Sequence, residues 1–181
     1  MNVSDTELLI RSRTDPEAIG TLYDRHAPAV HSYLARRAGR HAAADLLSEV
    51  FVVAVQVRRR VRPHTSGSAL PWLYGIAHNV VRTHLRSTTP RRTAADTDGV
   101  DWDAVDARVD AAAVAQELQM ALSKLSDIER DLLLLVAWEQ LTVTEAAAVL
   151  GITPTAARSR LHRARTHAAA ALASITTGEL T

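Results

Sequence analysis

The chain has 181 residues, 47% of them hydrophobic, with 21 Lys and Arg against 20 Asp and Glu and no cysteine. That length suits one medium domain or two small ones with modest cores, and the lack of thiols excludes a disulfide framework, a cysteine-ligated zinc site and thiol redox sensing. No stretch approaches the ~18 uninterrupted apolar residues of a membrane span, and the opening Met1-Asn-Val-Ser-Asp-Thr-Glu7 lacks the basic-then-apolar pattern of a secretory signal, so a soluble, cytoplasmic protein without membrane insertion is expected.

Asp15-Pro16 offers an N-cap followed by proline at the first helical position, and Leu22, Tyr23, His26, Val30, Tyr33 and Leu34 recur at helical spacing, predicting a helix over 16–37. After Gly39, Leu46, Leu47, Val50, Phe51 and Ala54 trace a second apolar stripe, which ends in Arg58-Arg59-Arg60 and a turn-rich segment over 63–68. Ser68 can cap a third helix, with Pro71 in its first turn and Leu73, Ile76, Ala77, Val80 and Val81 as its buried face up to Ser87. These helices predict one domain over 14–87.

Periodicity disappears over 88–111. Pro90, Gly99 and an acidic stretch of Asp96, Asp98, Asp101, Asp103, Asp106 and Asp110, relieved only by Arg108, read there as a flexible linker. At full extension, ~3.3 Å per residue, it could separate its flanking domains by ~80 Å. Helical signal returns at Ala112 with Leu118, Ala121, Leu122 and Leu125. Ser126-Asp-Ile-Glu129 is a capping box opening a helix through Trp138, and Thr142-Val-Thr-Glu145 is another. Gly151 can serve as a left-handed stop before Thr153-Pro154 restarts a helix running to about Ala173. A second domain over 112–175 follows. No segment asks for a strand, so the expected fold is all-α, two small helical domains joined by a flexible acidic linker.

Residues 143–161 give, in order, a short helix with Ala147 at its crossing point, Gly151 in the turn, a capped restart, and Ala157 and Leu161 pointing inward. This is a helix-turn-helix: a small residue lets the helices cross closely, glycine supplies the turn, and apolar residues fasten the second helix to the first. At about 100° per residue, Ala157, Leu161, Ala164 and Ala168 share one face and leave Thr155, Arg158, Ser159, His162, Arg163 and Thr166 on the other. That outer face suits a major groove, with arginine reading guanine and the smaller polar groups holding phosphates. The net charge of +1 hides a basic end, since Arg158, Arg160, Arg163 and Arg165 crowd this last helix.

The run Gly151-Ile-Thr-Pro-Thr-Ala-Ala-Arg-Ser-Arg-Leu-His-Arg-Ala-Arg165, with Leu125-Ser-Asp-Ile-Glu-Arg-Asp-Leu-Leu-Leu-Leu135 and Leu141-Thr-Val-Thr-Glu-Ala-Ala-Ala148 before it, resembles region 4 of the extracytoplasmic-function (ECF) sigma factors of bacterial RNA polymerase, in the sigma-70 family. The resemblance implies recognition of the promoter −35 element by Thr155, Arg158, Ser159, His162, Arg163 and Thr166. Ala44-Asp-Leu-Leu-Ser-Glu-Val-Phe51 resembles the region 2 segment that grips the clamp helices of the polymerase β′ subunit, which implies core contact by Asp45, Glu49, Val52 and Gln56. Two carboxylates four residues apart on one helix face repel each other until something basic meets them.

Leu70-Pro-Trp-Leu-Tyr-Gly-Ile-Ala-His-Asn-Val-Val-Arg82 resembles the family's −10 helix, and residues from Arg62 to Ser68 occupy the position of the loop that receives an unstacked base. Contacts to the −10 strand are thereby implied for Arg62, His64, Ser66, Trp72, Asn79, Arg82 and Arg86, although for Trp72 covering the core is the slightly favoured role. This sequence departs from the family in having Pro63-His-Thr-Ser-Gly-Ser68 in place of a Phe-Arg-Gly-type loop, so its base preference does not transfer. Ala157 also stands where valine is usual, and His78 where arginine is frequent. The resemblance covers 14–87 and 112–172. The implied partners are the polymerase core, through the β′ clamp helices and the β flap, and promoter DNA, and the two-domain layout permits an anti-sigma factor.

No His-Glu-x-x-His, Gly-x-Ser-x-Gly or phosphate-binding glycine loop occurs, so a non-catalytic protein without a cofactor is expected. His162 and His167 lie about 140° apart on a helix and make no metal pair. The competing reading is a conventional helix-turn-helix regulator that binds duplex DNA as a dimer without the polymerase. It leaves the region 2 resemblance unexplained and finds no long heptad seam or sensor domain.

Overall fold

The computed structural model describes residues 3–64, 66–88, 122 and 124–178. Its contacts divide the chain into two compact units, 1–104 and 105–181. All regular structure among the described residues is helical, and among them no helix is long and apolar enough to cross a membrane. The acidic linker expected over 88–111 and the helical restart at Ala112 lie, but for Thr88, outside the described residues.

The first unit opens with a helix that periodicity does not predict, α1 (Asp5–Arg11). Ser4 caps it in a reciprocal box: Glu7 N donates to Ser4 Oγ at 3.2 Å, and Ser4 N and Oγ donate to the Glu7 carboxylate at 3.0 and 2.9 Å. Leu8 and Leu9 bury its inner side. Next come α2 (Glu17–Ala38), α3 (Arg40–Val57), a short 3-10 turn (Arg58–Arg60) and α4 (Leu70–Thr88).

Asp15 does accept from Glu17 N, at 3.0 Å, but Pro16 adopts helical angles just outside the helix, so α2 starts and stops one residue later than the sequence predicts. Gly39, at φ 82°, ends α2 and launches α3, a left-handed turn that costs glycine little.

α2, α3 and α4 pack on one another in all three pairings, and α1 packs on α2. Leu22, Val30, Leu34, Val50, Ala54, Leu73 and Ala77 are fully enclosed; each large aliphatic side chain contributes roughly 1.5–3 kcal/mol by leaving water. Tyr33 and Tyr74 stack at 5.1 Å between centroids, and the Arg37 guanidinium lies 4.8 Å over the Tyr33 ring. Two members of the expected α2 stripe depart from it. Tyr23 is exposed with its ring edge-on to Phe51 at 4.8 Å, and His26 turns to Asp5 of α1.

The second unit consists, among the described residues, of α5 (Asp127–Ala137), α6 (Val143–Val149) and α7 (Pro154–Gly178), all mutually packed. Leu132, Leu135, Leu141, Ala146, Ala147, Ala157, Leu161 and Ala164 form its interior, joined by Leu122 and Leu125. The Glu129 carboxylate accepts from Ser126 N and Oγ at 3.2 and 2.7 Å, closing the start of α5. Gln140, at φ 57°, turns the chain out of α5, helped by its side-chain amide donating to Ala137 O and by Leu141 N donating to Leu135 O.

Candidate nucleic-acid and polymerase interfaces

On α3, the apolar residues Leu46, Leu47, Val50, Phe51 and Ala54 turn inward and leave Asp45, Glu49, Val52 and Gln56 exposed. At about 100° per residue these four fall within about 60° of arc, a single stripe. Val52 is 55% exposed between the acidic pair and Gln56, which gives the stripe an apolar centre. Tyr23, which recurs with the apolar stripe of α2, is exposed and lies edge-on to Phe51 of α3.

On α4, Asn79, Arg82 and Arg86 are exposed and also share about 60° of arc. Asn79 donates its side-chain amide to Gly75 O at 3.0 Å. Trp72 is half-buried in the first turn of α4, between the core and the surface. Before α4, Arg62 is exposed, and the structure brings His64 and Ser66 together: Ser66 N donates to His64 Nδ1 at 3.3 Å, and the Ser66 hydroxyl lies 3.2 Å from the same nitrogen. Accepting at Nδ1 places the proton of a neutral His64 ring on Nε2. Gly67, at φ 75°, makes the turn, its amide donating to His64 O at 3.0 Å.

Asp5 is the residue that sequence reasoning missed. Its carboxylate accepts from Ala69 N at 2.9 Å, from Arg25 Nη1 at 3.0 Å, and lies 2.6 Å from His26 Nε2. Burial pushes this carboxyl up, but the Ala69 amide, Arg25 and His26 together outweigh it and hold Asp5 below the usual carboxylate range. The Ser4-x-x-Glu7 capping pattern was the available signal for its helix; nothing local signals the partners.

In the second unit the helix-turn-helix forms from α6, a turn and α7. Thr142 and Glu145 exchange a full capping box, with Thr142 N and Oγ1 donating to the Glu145 carboxylate at 2.8 and 2.7 Å and Glu145 N returning to Oγ1 at 3.2 Å. These bonds make it tolerable that Glu145 is only 5% exposed. Gly151 sits at φ 65°, Ile152 N donates to Ala147 O at 3.0 Å, and Thr153 Oγ1 accepts from Ala156 N at 3.2 Å to start α7.

Ala157, Leu161, Ala164 and Ala168 are buried, while Thr155, Arg158, Ser159, His162, Arg163 and Thr166 are all exposed on the opposite side. The structure refines this face in three places. Thr166 commits its hydroxyl proton to His162 O at 3.0 Å. Arg163 Nε lies 3.5 Å from Glu129 Oε1 on α5. Arg160, which the sequence groups with the basic end, is half-buried. The Glu129 carboxyl is lowered chiefly by the Ser126 hydroxyl, against some burial, with the Ser126 amide, Arg163 and His167 adding to the effect. No cluster of three or more potential metal-ligating side chains occurs among the described residues.

The Sigma-70 region 2 family profile matches residues 22–91, and the Sigma-70, region 4 profile matches residues 115–167. The chain is 34% identical over 149 residues to RNA polymerase sigma factor CarQ of Myxococcus xanthus, an alignment covering 81% of this chain and 84% of that protein. It is 30% identical over 146 residues to ECF RNA polymerase sigma factor SigL of Mycobacterium tuberculosis, covering 79% and 82%. Among solved structures, CnrH in complex with the cytosolic domain of CnrY is similar at a TM-score of 0.65 and 24% identity, covering 94% of this chain and 97% of that one, a likeness of fold. Two helical units, the second built on a helix-turn-helix and each matching its own region, define the class: the chain belongs to the sigma-70 family. Within it, it is an ECF sigma factor, directing promoter-specific transcription by RNA polymerase.

Proposed function

We propose that residues 14–87 act as region 2, holding the polymerase core and reading the melted −10 strand, that 112–175 act as region 4 on the −35 duplex, and that 88–111 join them. Asp45, Glu49, Val52 and Gln56 meet the β′ clamp helices, where basic groups relieve the repulsion of the acidic pair. Arg62, His64, Ser66, Trp72, Asn79, Arg82 and Arg86 line the path of the −10 strand, stacking on and hydrogen-bonding to bases freed from the duplex. Thr155, Arg158, Ser159, His162, Arg163 and Thr166 enter the −35 major groove, and the same unit rests on the β flap.

The observation that carries the reading is the clean division of α7, four inward positions buried and all six groove-facing candidates exposed. Splitting recognition between two tethered units multiplies two modest affinities through effective concentration. The protein acts in the cytoplasm as a non-catalytic subunit and needs no cofactor. An anti-sigma factor is a further proposed partner, supported by the solved complexes of CnrH with the cytosolic domain of CnrY and of RpoE with the anti-sigma factor NepR from Bartonella quintana.

The test is run-off transcription of a genomic promoter library by bacterial core polymerase with and without this protein, sequencing the transcript starts. Discrete new starts sharing two spaced upstream motifs are expected. Sequence-specific duplex binding by the protein alone, with no new starts, would instead select the conventional regulator.

A further inference from the structure

Among the described residues of the connection from the 3-10 turn to α4, Ser66 and Gly67 bond locally, back to His64. The connection's two ends are held from elsewhere, by the N-terminal segment. Arg13 Nη2 donates to Val61 O at 2.7 Å, Thr6 Oγ1 donates to Gly67 O at 3.5 Å, and Asp5 accepts from Ala69 N at 2.9 Å. Val61 and Ala69 are both buried, so these ties fasten backbone that packing already encloses. Arg25 and His26 of α2 fix Asp5 in turn. Ordering a loop costs roughly 1–2 kcal/mol per residue of backbone entropy, and a binding site on a loop gains selectivity when that cost is met before the ligand arrives.

We propose that the N-terminal segment, α1 and the turn after it, is a positioning element for −10 strand capture, in which Arg13, Thr6 and Asp5 fix both ends of the 61–69 connection so that Arg62, His64 and Ser66 hold the geometry that selects one unstacked base. The inference rests on the role proposed above for that loop. These are positioning residues: they act on the loop through its backbone.

The experiment uses holoenzyme assembled from the full chain and bacterial core polymerase, transcribing promoters randomised across the −10 region, with transcript starts sequenced to give base enrichment. Arg13→Ala is the main variant, because Arg13 is exposed and its removal leaves the core of the unit intact. The preferred base's enrichment falls about five- to tenfold, as expected for losing one hydrogen bond of ordinary net strength, while core affinity stays unchanged and the melting temperature falls by no more than a few degrees. Arg13→Lys, which keeps a cationic donor, restores part of the enrichment. Unchanged enrichment in Arg13→Ala and in the Arg13→Ala/Thr6→Val double variant overturns the proposal, as does a lowered melting temperature with an unaltered base profile. His64→Ala and Ser66→Ala separate the two layers. If they change the enrichment while the Arg13 variants do not, the loop reads the base and the N-terminal segment does not position it; if neither set changes it, the loop's own role fails.

Discussion

The two units present their proposed DNA-facing residues by opposite means. In the second, every determinant lies within a short run of chain: the Thr142–Glu145 box, the left-handed Gly151, the Ile152-to-Ala147 bond and a row of small inward residues. In the first, the 61–69 connection is held by side chains 48 to 64 positions away in sequence, from Arg13 to Val61 and from Asp5 to Ala69. An interface on a regular helix is specified by periodicity; one on an irregular loop is specified by whatever reaches it from other elements.

The sharpest test of the first half of that contrast is Leu161→Ala. Leu161 is buried against α6, and its truncation costs about 2–5 kcal/mol, measured by urea unfolding of the full chain. A loss well below ~1 kcal/mol would mean that the α7 face is not anchored by this core. The matching test in the first unit is Asp5→Ala. Its carboxylate, 12% exposed, satisfies the Ala69 amide, the Arg25 guanidinium and the His26 ring, so its removal costs about 1.5–3 kcal/mol.

The same residue gives a pH dependence of determined sign. The folded carboxyl lies below the reference value of 3.8, so its stabilisation is complete above that pH and is lost as pH falls through the lower folded value. Asp5→Asn should therefore be less stable at neutral pH and show a flatter loss on acidification below 3.8, read from thermal melts across pH.

Gly151→Ala should cost about 1 kcal/mol, from backbone alone, since at φ 65° nothing lies within 4 Å of an added Cβ. A larger loss would reveal crowding in the turn. The smallest effect on stability is expected from Arg158→Ala, within about 0.5 kcal/mol for an exposed site. It should nonetheless reduce initiation on duplex promoters with core binding retained. Arg163→Ala should behave similarly, but with a slight loss of stability as Glu129 loses its ionic contact while keeping its bonds to Ser126.

The helices over most of both units were legible because their apolar residues repeat at helical spacing and their ends carry boxes, glycine or proline. Ser4-Asp-Thr-Glu7 repeats the pattern that opens α5 and α6, but α1 is too short for a periodic stripe and, unlike the equally short α6 with Gly151 after it, has no glycine turn to mark its end. Tyr23 and His26 were placed in the core by spacing alone. They fall within the angular span of the buried stripe of α2, yet one is turned outward on Phe51 while the other is drawn to a charge on another helix. Arg160 was grouped with the exposed arginines, though at about 100° per residue it falls only about 40° from Ala164, on the flank of the buried row. The outward positions of α7 and the acidic stripe of α3 followed from helical geometry. The anchoring of the 61–69 connection could not, since its donors and acceptors are backbone groups that every residue carries.

The inward alanines of α7 separate two kinds of freedom along one helix. Adding volume at Ala157 or Ala164 would crowd the core of the second unit, since both are fully enclosed, whereas exchanging an outward residue such as Arg158 or Ser159 leaves that core untouched. With the −35 role proposed above for that outward face, promoter preference can change at solvent-facing positions without disturbing the scaffold that presents them.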